Sequence, residues 1–109
     1  MKLSSKFKSL DYLSGLIKNN TSIGIGGHHF ARLPIALINN LLNKSPKNLE
    51  FISWSGGLAL ELFLQKNAVN KIQICFSSLD IFGLAPLFRK TCESKTIEVI
   101  DWSALGLIK

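Results

Sequence analysis

Glycine-containing turns are the features of this sequence best suited to chemistry. Three of them follow short runs of β-branched or aromatic residues, at Gly26-Gly27, at Gly56-Gly57 and at Gly83. Glycine lets the backbone approach a ligand closely, and a helix that begins after such a turn offers free N–H groups to a phosphate or carboxylate. Glycines that only shape tight turns give the same pattern, so both interpretations stay open at each position.

Two charged side chains lie next to these turns. Arg32 stands just before Pro34, at the predicted start of a helix, where a guanidinium can hold a carboxylate or phosphate by two hydrogen bonds. Asp80 is the one acid in a predicted strand-end loop and is a candidate ligand contact. Arg89, inside a predicted helix, is expected to be a solvated or structural arginine. The chain therefore has groups that can bind an anion.

The sequence does not match the known binding and catalytic motifs that its glycines and serines bring into question. Gly24 and Gly26 would need a third glycine at the position of His29 to make a dinucleotide-binding fingerprint. A Gly-Lys-Ser/Thr phosphate loop is absent, and Ser55 lacks the glycine two residues earlier that a nucleophile elbow requires. No carboxylate lies in a glycine-rich turn after a strand, where a covalent nucleophile would be held. We therefore predict no catalytic residue in this chain and no complete enzyme from it alone.

The only histidine pair of the chain is His28-His29. Adjacent side chains point in different directions unless the loop bends, and no Cys, Asp or Glu nearby has metal-ligand spacing. We predict loop histidines, one of which can titrate near a bound anion, and no metal site.

Helices and strands alternate along the chain. Ser9 is expected to cap a first helix that ends at Asn19-Asn20, and Pro34 to open a second that ends at Ser45-Pro46. Two further helices are predicted, one with its apolar positions between Leu58 and Phe63 and one at Pro86–Glu93. The predicted strands are Thr21–Ile25, Leu49–Trp54, Lys71–Phe76 and Thr96–Ile100. This alternation predicts an α/β fold with an open, mainly parallel sheet covered by helices.

Residues 1–109 are predicted to form one α/β domain, and a partial one. The apolar segment Ala104–Lys109 has no partner element after it, and a parallel sheet normally continues until both faces are covered. We expect a fragment of a longer fold or a subunit that completes its fold against a partner, with a frayed tail as the alternative. Trp54 and Trp102 are expected to be core aromatics.

Composition narrows the class of protein. Hydrophobic residues make up 47% and charged residues 18% of the chain, which argues against disorder. The net charge of +6 comes mainly from scattered lysines, which favours an anionic small ligand or simple solubility over nucleic acid. Cys75 and Cys92 are expected to be reduced, mostly buried thiols. Met1–Lys8 has no apolar signal region and no apolar run reaches the roughly 20 residues of a membrane span, so a cytoplasmic protein without a membrane partner is predicted.

Several segments resemble the A subunits of family I CoA-transferases. Leu16–Lys18, Ile23–Gly27 and Arg32–Ile38 look like the opening of these subunits, and Asn48-Leu49 with Ser55–Gly57 continues in register. Phe82–Arg89 and Ile97–Ser103 are similar to the glutaconate CoA-transferase branch of these A subunits. The resemblance spans Leu10 to Trp102 and corresponds to the N-terminal part of these longer subunits.

This resemblance implies a CoA-transferase-like fold and a heteromer of A and B subunits that moves CoA between carboxylic acids through a glutamyl-CoA thioester. The catalytic glutamate would belong to the B-type partner, acyl-CoA and a carboxylic acid would be the substrates, and no resident cofactor would be needed. Phe30 and Arg32 would face the shared active site, together with backbone N–H groups of the first glycine turn. The expected acyl- and CoA-binding residues are Gly26, Gly27, Phe30, Arg32, Ser55, Gly56, Gly57, Asp80 and Gly83.

The sequence also departs from this family pattern. His28-His29 stands where smaller or aromatic residues often follow the double glycine, Ser94-Lys95 where a glycine commonly follows the glutamate, and Ser103-Ala104 lacks an expected acidic residue. Two alternative functions remain. One is a subunit of the same fold that hydrolyses a ring on a CoA thioester, and the other is a truncated binding or regulatory domain without activity.

Overall fold

Four parallel strands form one sheet in the order β1-β2-β3-β4. The computed structural model describes residues 6–108, so residues 1–5 of the basic N-terminal segment and Lys109 of the apolar tail lie outside it. The strands are β1 (Ser22–Gly24), β2 (Leu49–Ser55), β3 (Val69–Phe76) and β4 (Glu98–Asp101). All three strand pairs are parallel, which confirms the predicted open α/β architecture.

Among the described residues the elements outside the sheet are five helices and one 3-10 turn, of which the first helix precedes β1 and the others connect or follow the strands. The helices are α1 (Leu10–Gly15), α2 (Ile35–Asn43), α3 (Gly57–Gln65), α4 (Pro86–Ser94) and α5 (Ala104–Ile108), and the turn is Asp80–Phe82. Ser9 caps α1 as predicted, because its hydroxyl accepts a hydrogen bond of 3.1 Å from the Tyr12 N–H. The helix is shorter than predicted because the N–H groups of Leu16 and Ile17 bond to carbonyls three residues earlier, which tightens and ends the last turn.

The core lies between one face of the sheet and helices α2 to α4, and α1 packs against α2. Along β2 the buried residues alternate, and Phe51 points toward the helices with no exposed surface. Phe51 meets Phe63 of α3 edge to face, with ring centroids 5.3 Å apart. Ile38 of α2 and Ile72 of β3 belong to the same buried cluster. This packing holds β2 and β3, the two central strands, in fixed register beneath the helices.

The opposite face of the sheet carries a polar network. Glu50 accepts hydrogen bonds from the Ser22 hydroxyl, at 3.2 Å, and from the Gln73 amide. The Trp102 indole N–H donates to the Gln73 amide oxygen at 2.8 Å. The prediction that both tryptophans are core residues is wrong, since Trp54 is 39% and Trp102 41% exposed. The alternation of β2 places Trp54 on this face, away from the helices.

The remaining expectations concern the cysteines and the C-terminal segment. Both cysteines are free and Cys75 is half-buried, but Cys92 is exposed because it lies on the solvent side of α4, so its predicted burial is wrong. The apolar C-terminal segment forms α5 beside β3, with Leu105 still 67% exposed. No helix among residues 6–108 has the length and apolarity to cross a bilayer.

Candidate functional site

The loops after β1 and β2 are clamped together at the carboxyl edge of the sheet. Gly57, with φ of +47°, lies so close to His29 that an added Cβ would stand 2.5 Å from the His29 carbonyl oxygen and 2.7 Å from its Cα. The N–H of Leu58 donates to the same carbonyl at 3.1 Å. The second glycine turn is therefore a docking point for the loop that follows the first.

The loop after β3 joins the same edge. The Gly56 N–H donates to the Phe76 carbonyl at 3.0 Å, which continues the β2–β3 pairing into the loops. His29 Nδ1 lies 3.2 Å from the Ser78 carbonyl oxygen and 3.3 Å from the Ser78 hydroxyl. Through His29, three strand-end loops form one connected rim.

The first glycine turn is tight. Gly27 has φ of +100°, and an added Cβ there would stand 2.8 Å from the Ala31 carbonyl oxygen. His28 and Ala31 close the turn with two reciprocal backbone hydrogen bonds, of 3.0 and 2.7 Å. This bend brings the His28 and His29 rings to 3.9 Å between centroids, the case in which adjacent side chains do meet.

An open pocket lies beside this turn. Its volume is about 490 Å³, and its lining comprises Gly27, His28, Ala31 and Arg32. Gly26 faces open space, and among residues 6–108 no hydrogen bond uses the N–H of Gly26 or Gly27. Arg32 is exposed, with φ of 59°. Gly27 and Arg32 both line this pocket, and an unused peptide N–H and a guanidinium are groups that suit a carboxylate or a carbonyl oxygen that gains negative charge.

The other predicted site residues fall into two groups. Asp80 and Gly83 are exposed and belong to one folded loop, closed by the Leu79 N–H donating to the Gly83 carbonyl at 2.8 Å. Phe30 reaches this loop, because its ring meets Phe82 edge to face at 5.5 Å. By contrast, Ser55 is only 2% exposed and lies beneath the rim.

Two buried hydroxyl groups below the rim form no hydrogen bond with the described residues. Within the described chain neither the Ser55 nor the Ser77 hydroxyl has a hydrogen-bond partner, although both atoms are buried. An added Cβ at Gly56 would lie 2.7 Å from the Ser77 hydroxyl, so glycine makes room for this side chain.

An aromatic cluster next to the pocket was not found by reasoning from the sequence. Trp54 and Phe76 meet edge to face at 5.0 Å, the His28 ring lies 5.5 Å from Trp54, and the His29 ring lies 5.5 Å from Phe76. The usable signal was the position of Trp54 and Phe76 at the ends of two neighbouring strands. The register sets Phe76 opposite Ser55, the residue after Trp54, and so brings the two aromatic residues close together.

Glu61 fixes the far end of the β3 loop, where α4 begins. This carboxylate of α3 is 7% exposed and accepts a 3.0 Å hydrogen bond from the Leu87 N–H in the first turn of α4. Burial raises the pKa of the Glu61 carboxyl, and the opposing hydrogen bonds from the Leu87 and Phe88 N–H groups do not cancel that effect. Glu61 thus caps α4 from a neighbouring helix. The N-cap residue of α4 is Ala85, whose side chain cannot accept a hydrogen bond from the first N–H groups of the helix.

Arg89 has the structural role expected of it. Its Nε lies 2.9 Å from the Glu93 carboxylate one turn later on α4, and both side chains are exposed. This leaves Arg32 as the arginine at the rim.

Comparisons with known proteins identify a family and a fold. The family model for Coenzyme A transferase matches residues 10–109. No curated protein matches the chain. A solved structure of the decarboxylase AibA/AibB, in a variant with serine in place of a cysteine, is 23% identical with a TM-score of 0.78. The match covers 84% of this chain and 36% of that chain, so this chain spans about a third of the length of the solved one and shares its fold.

Proposed function

The chain belongs to the coenzyme A transferase family, and on this premise we propose that it is an A-subunit-like component of a heteromeric CoA-transferase. In this proposal the chain shapes the acyl and CoA pocket, and a B-type partner subunit supplies the catalytic glutamate. The observation that carries the proposal is the open pocket lined by Gly27, whose N–H is unused within the described chain, and by Arg32. A thioester carbonyl and a carboxylate are the ligands that such donors recognise.

The placement of the acids supports a catalytic group from outside the chain. The four glutamates of the described residues, Glu50, Glu61, Glu93 and Glu98, all lie within strands or helices rather than in the rim loops. Asp80 is in a rim loop but exposed on its surface. We therefore place a carboxylate nucleophile outside the described residues, in line with the heteromer that the sequence resemblance implies.

The reaction can be followed atom by atom. The partner's carboxylate attacks the acyl-CoA carbonyl, the carbon–sulfur bond breaks, and an acyl-glutamyl anhydride and CoA thiolate result. The thiolate then attacks the glutamyl carbonyl, which releases the first carboxylic acid and leaves a glutamyl-CoA thioester. The second acid reverses these steps. At each attack negative charge develops on a carbonyl oxygen, which the glycine N–H groups stabilise, and Arg32 holds the carboxylate of the acid.

The partner decides which reaction this pocket serves. The solved structure that shares the fold is named a decarboxylase, so one fold supports more than one reaction. With a partner that lacks the glutamate, the same pocket would serve ring hydrolysis on a CoA thioester or binding alone. The glutaconate-type branch, the cytoplasmic location and the assignment of residues 1–109 to one domain stay predictions.

Native mass spectrometry of the protein with its cognate B-type subunit tests this proposal. After incubation with acyl-CoA, we expect one CoA attached to the partner and none to this chain. Hydroxylamine should remove the adduct and dithiothreitol should not, because the first cleaves a thioester while the second removes CoA bound through a disulfide. A complex that turns over acyl-CoA without any adduct would contradict the transfer reaction.

A further inference from the structure

An exposed apolar patch adjoins the pocket. Ile81, Phe82 and Leu84 are 86%, 72% and 66% exposed, and Phe30, which contacts Phe82, is 41% exposed. A fully exposed large side chain has a surface of about 200 Å², so these four side chains together expose about 500 Å² of mostly apolar surface to solvent. The largest apolar patch on a typical monomer is about 300–600 Å², and patches of that size often mark an interaction site.

The loop that carries the patch is folded rather than loose. The Leu79 N–H donates to the Gly83 carbonyl, the Gly83 N–H donates to the Asp80 carbonyl at 2.9 Å, and Asp80–Phe82 forms a 3-10 turn between them. Gly83 adopts φ of +90°, which only glycine tolerates readily. Side chains held on an ordered turn lose little conformational entropy when a partner covers them.

We propose that Phe30, Ile81, Phe82 and Leu84 form the central contact with the B-type partner subunit, whose matching surface is apolar with an acidic rim. This inference rests on the proposed function and names the surface through which that function is assembled. About 800 Å² per partner makes a standard interface, so a patch of about 500 Å² is enough for its apolar centre. Phe30 lies in the tight turn that lines the pocket, so a partner seated here stands beside the pocket and its residue Gly27.

The net charge of the chain favours a different polypeptide, rather than a second copy of this chain, as the partner that covers the patch. The net charge is +6, so two copies in contact would repel each other, whereas an acidic surface would be attracted. Asp80 is the one acid within the patch loop, and Arg32 lies beside Phe30 on the pocket side. The attraction should therefore weaken as salt concentration rises.

The test measures binding of the cognate B-type subunit to the full chain by titration. We expect Phe82→Asp and Leu84→Asp to raise the dissociation constant at least about tenfold, because a charge is buried at an apolar contact. Leu16→Asp is the matched control, since Leu16 is 58% exposed but lies between α1 and β1, and it should change the constant less than about threefold. Circular dichroism melting of each variant checks that the fold is intact.

Three results would overturn the inference, and they differ in what else they overturn. A complex that forms the CoA adduct but binds both patch variants as tightly as the unchanged protein would refute the patch and leave the proposed function standing. Dimerisation of the isolated chain that Phe82→Asp abolishes would show a second copy as the occupant. Failure of the unchanged protein to bind the B-type subunit would refute both proposals.

Discussion

Replacing Gly57 with alanine should destabilise the fold through the contact that joins the rim loops. An alanine at φ of +47° costs about 1–2 kcal/mol in the left-handed region. Its Cβ would stand 2.5 Å from the His29 carbonyl oxygen, and moving that backbone aside costs about 1–3 kcal/mol. Loss of the hydrogen bond from the Leu58 N–H adds about 1 kcal/mol. We expect Gly57→Ala to lower the free energy of unfolding by about 3–6 kcal/mol and the melting temperature by at least about 12 °C.

Gly26→Ala is the matched control for this prediction. An added Cβ at Gly26 meets no atom within 4 Å and its φ lies outside the left-handed region, so the change should stay within about 0.5 kcal/mol. Urea unfolding followed by circular dichroism measures both variants under identical conditions. The reasoning is refuted if Gly57→Ala unfolds within about 1 kcal/mol of the unchanged protein, or if Gly26→Ala costs as much as Gly57→Ala.

Two further substitutions address charge. Burial raises the folded-state pKa of Glu61 above its usual 4.5, so the folded chain holds this proton more tightly than the unfolded chain does. The contribution of this group to stability is therefore present in acid and falls as pH rises from about 4.5 through the folded pKa. Glu61→Gln should flatten that part of the stability–pH profile measured by urea unfolding, since the amide oxygen can still accept from the Leu87 N–H; an unchanged profile would contradict the assignment. Arg32→Ala should raise the KM for the acid substrate of the complex about tenfold without lowering the melting temperature, because Arg32 is exposed; unchanged kinetics would remove Arg32 from the site.

Local signals were sufficient for the fold. The Ser9 cap, the Pro34 and Pro86 helix starts and the regular alternation of apolar segments placed four strands and four helices in the right order. They were sufficient because each depends on short-range chemistry, such as a hydroxyl that satisfies a helix N–H or a proline that fits a first turn. The two tryptophans were placed wrongly because burial depends on which face of the sheet the helices cover, and no local pattern shows that.

The candidate site residues stay a prediction, and the sequence indicated only part of their arrangement. The glycine turns and Arg32 could be named because strand-end glycines lie at the carboxyl edge of a parallel sheet. The contact of Gly57 with His29 could not be predicted from the sequence, because it joins loops that are far apart in sequence and depends on how far each strand extends. Nor could the sequence pattern reveal that Ser55 is buried beneath the rim while Phe82 is exposed on it.

His29 joins the three strand-end loops that support the pocket. Its carbonyl accepts from the Leu58 N–H, its Cα lies against Gly57, and its ring reaches Ser78, so one residue fixes three loops to the helix-covered sheet. The pocket lies on the solvent side of that junction, where the Gly26 and Gly27 N–H groups remain unused within the described chain. A catalytic carboxylate built into this rim would be held close to the same donors, which would stabilise its charge and weaken it as a nucleophile. In the proposed heteromer the carboxylate comes from the partner chain, which would keep the donors free for the oxygen that gains charge during the reaction.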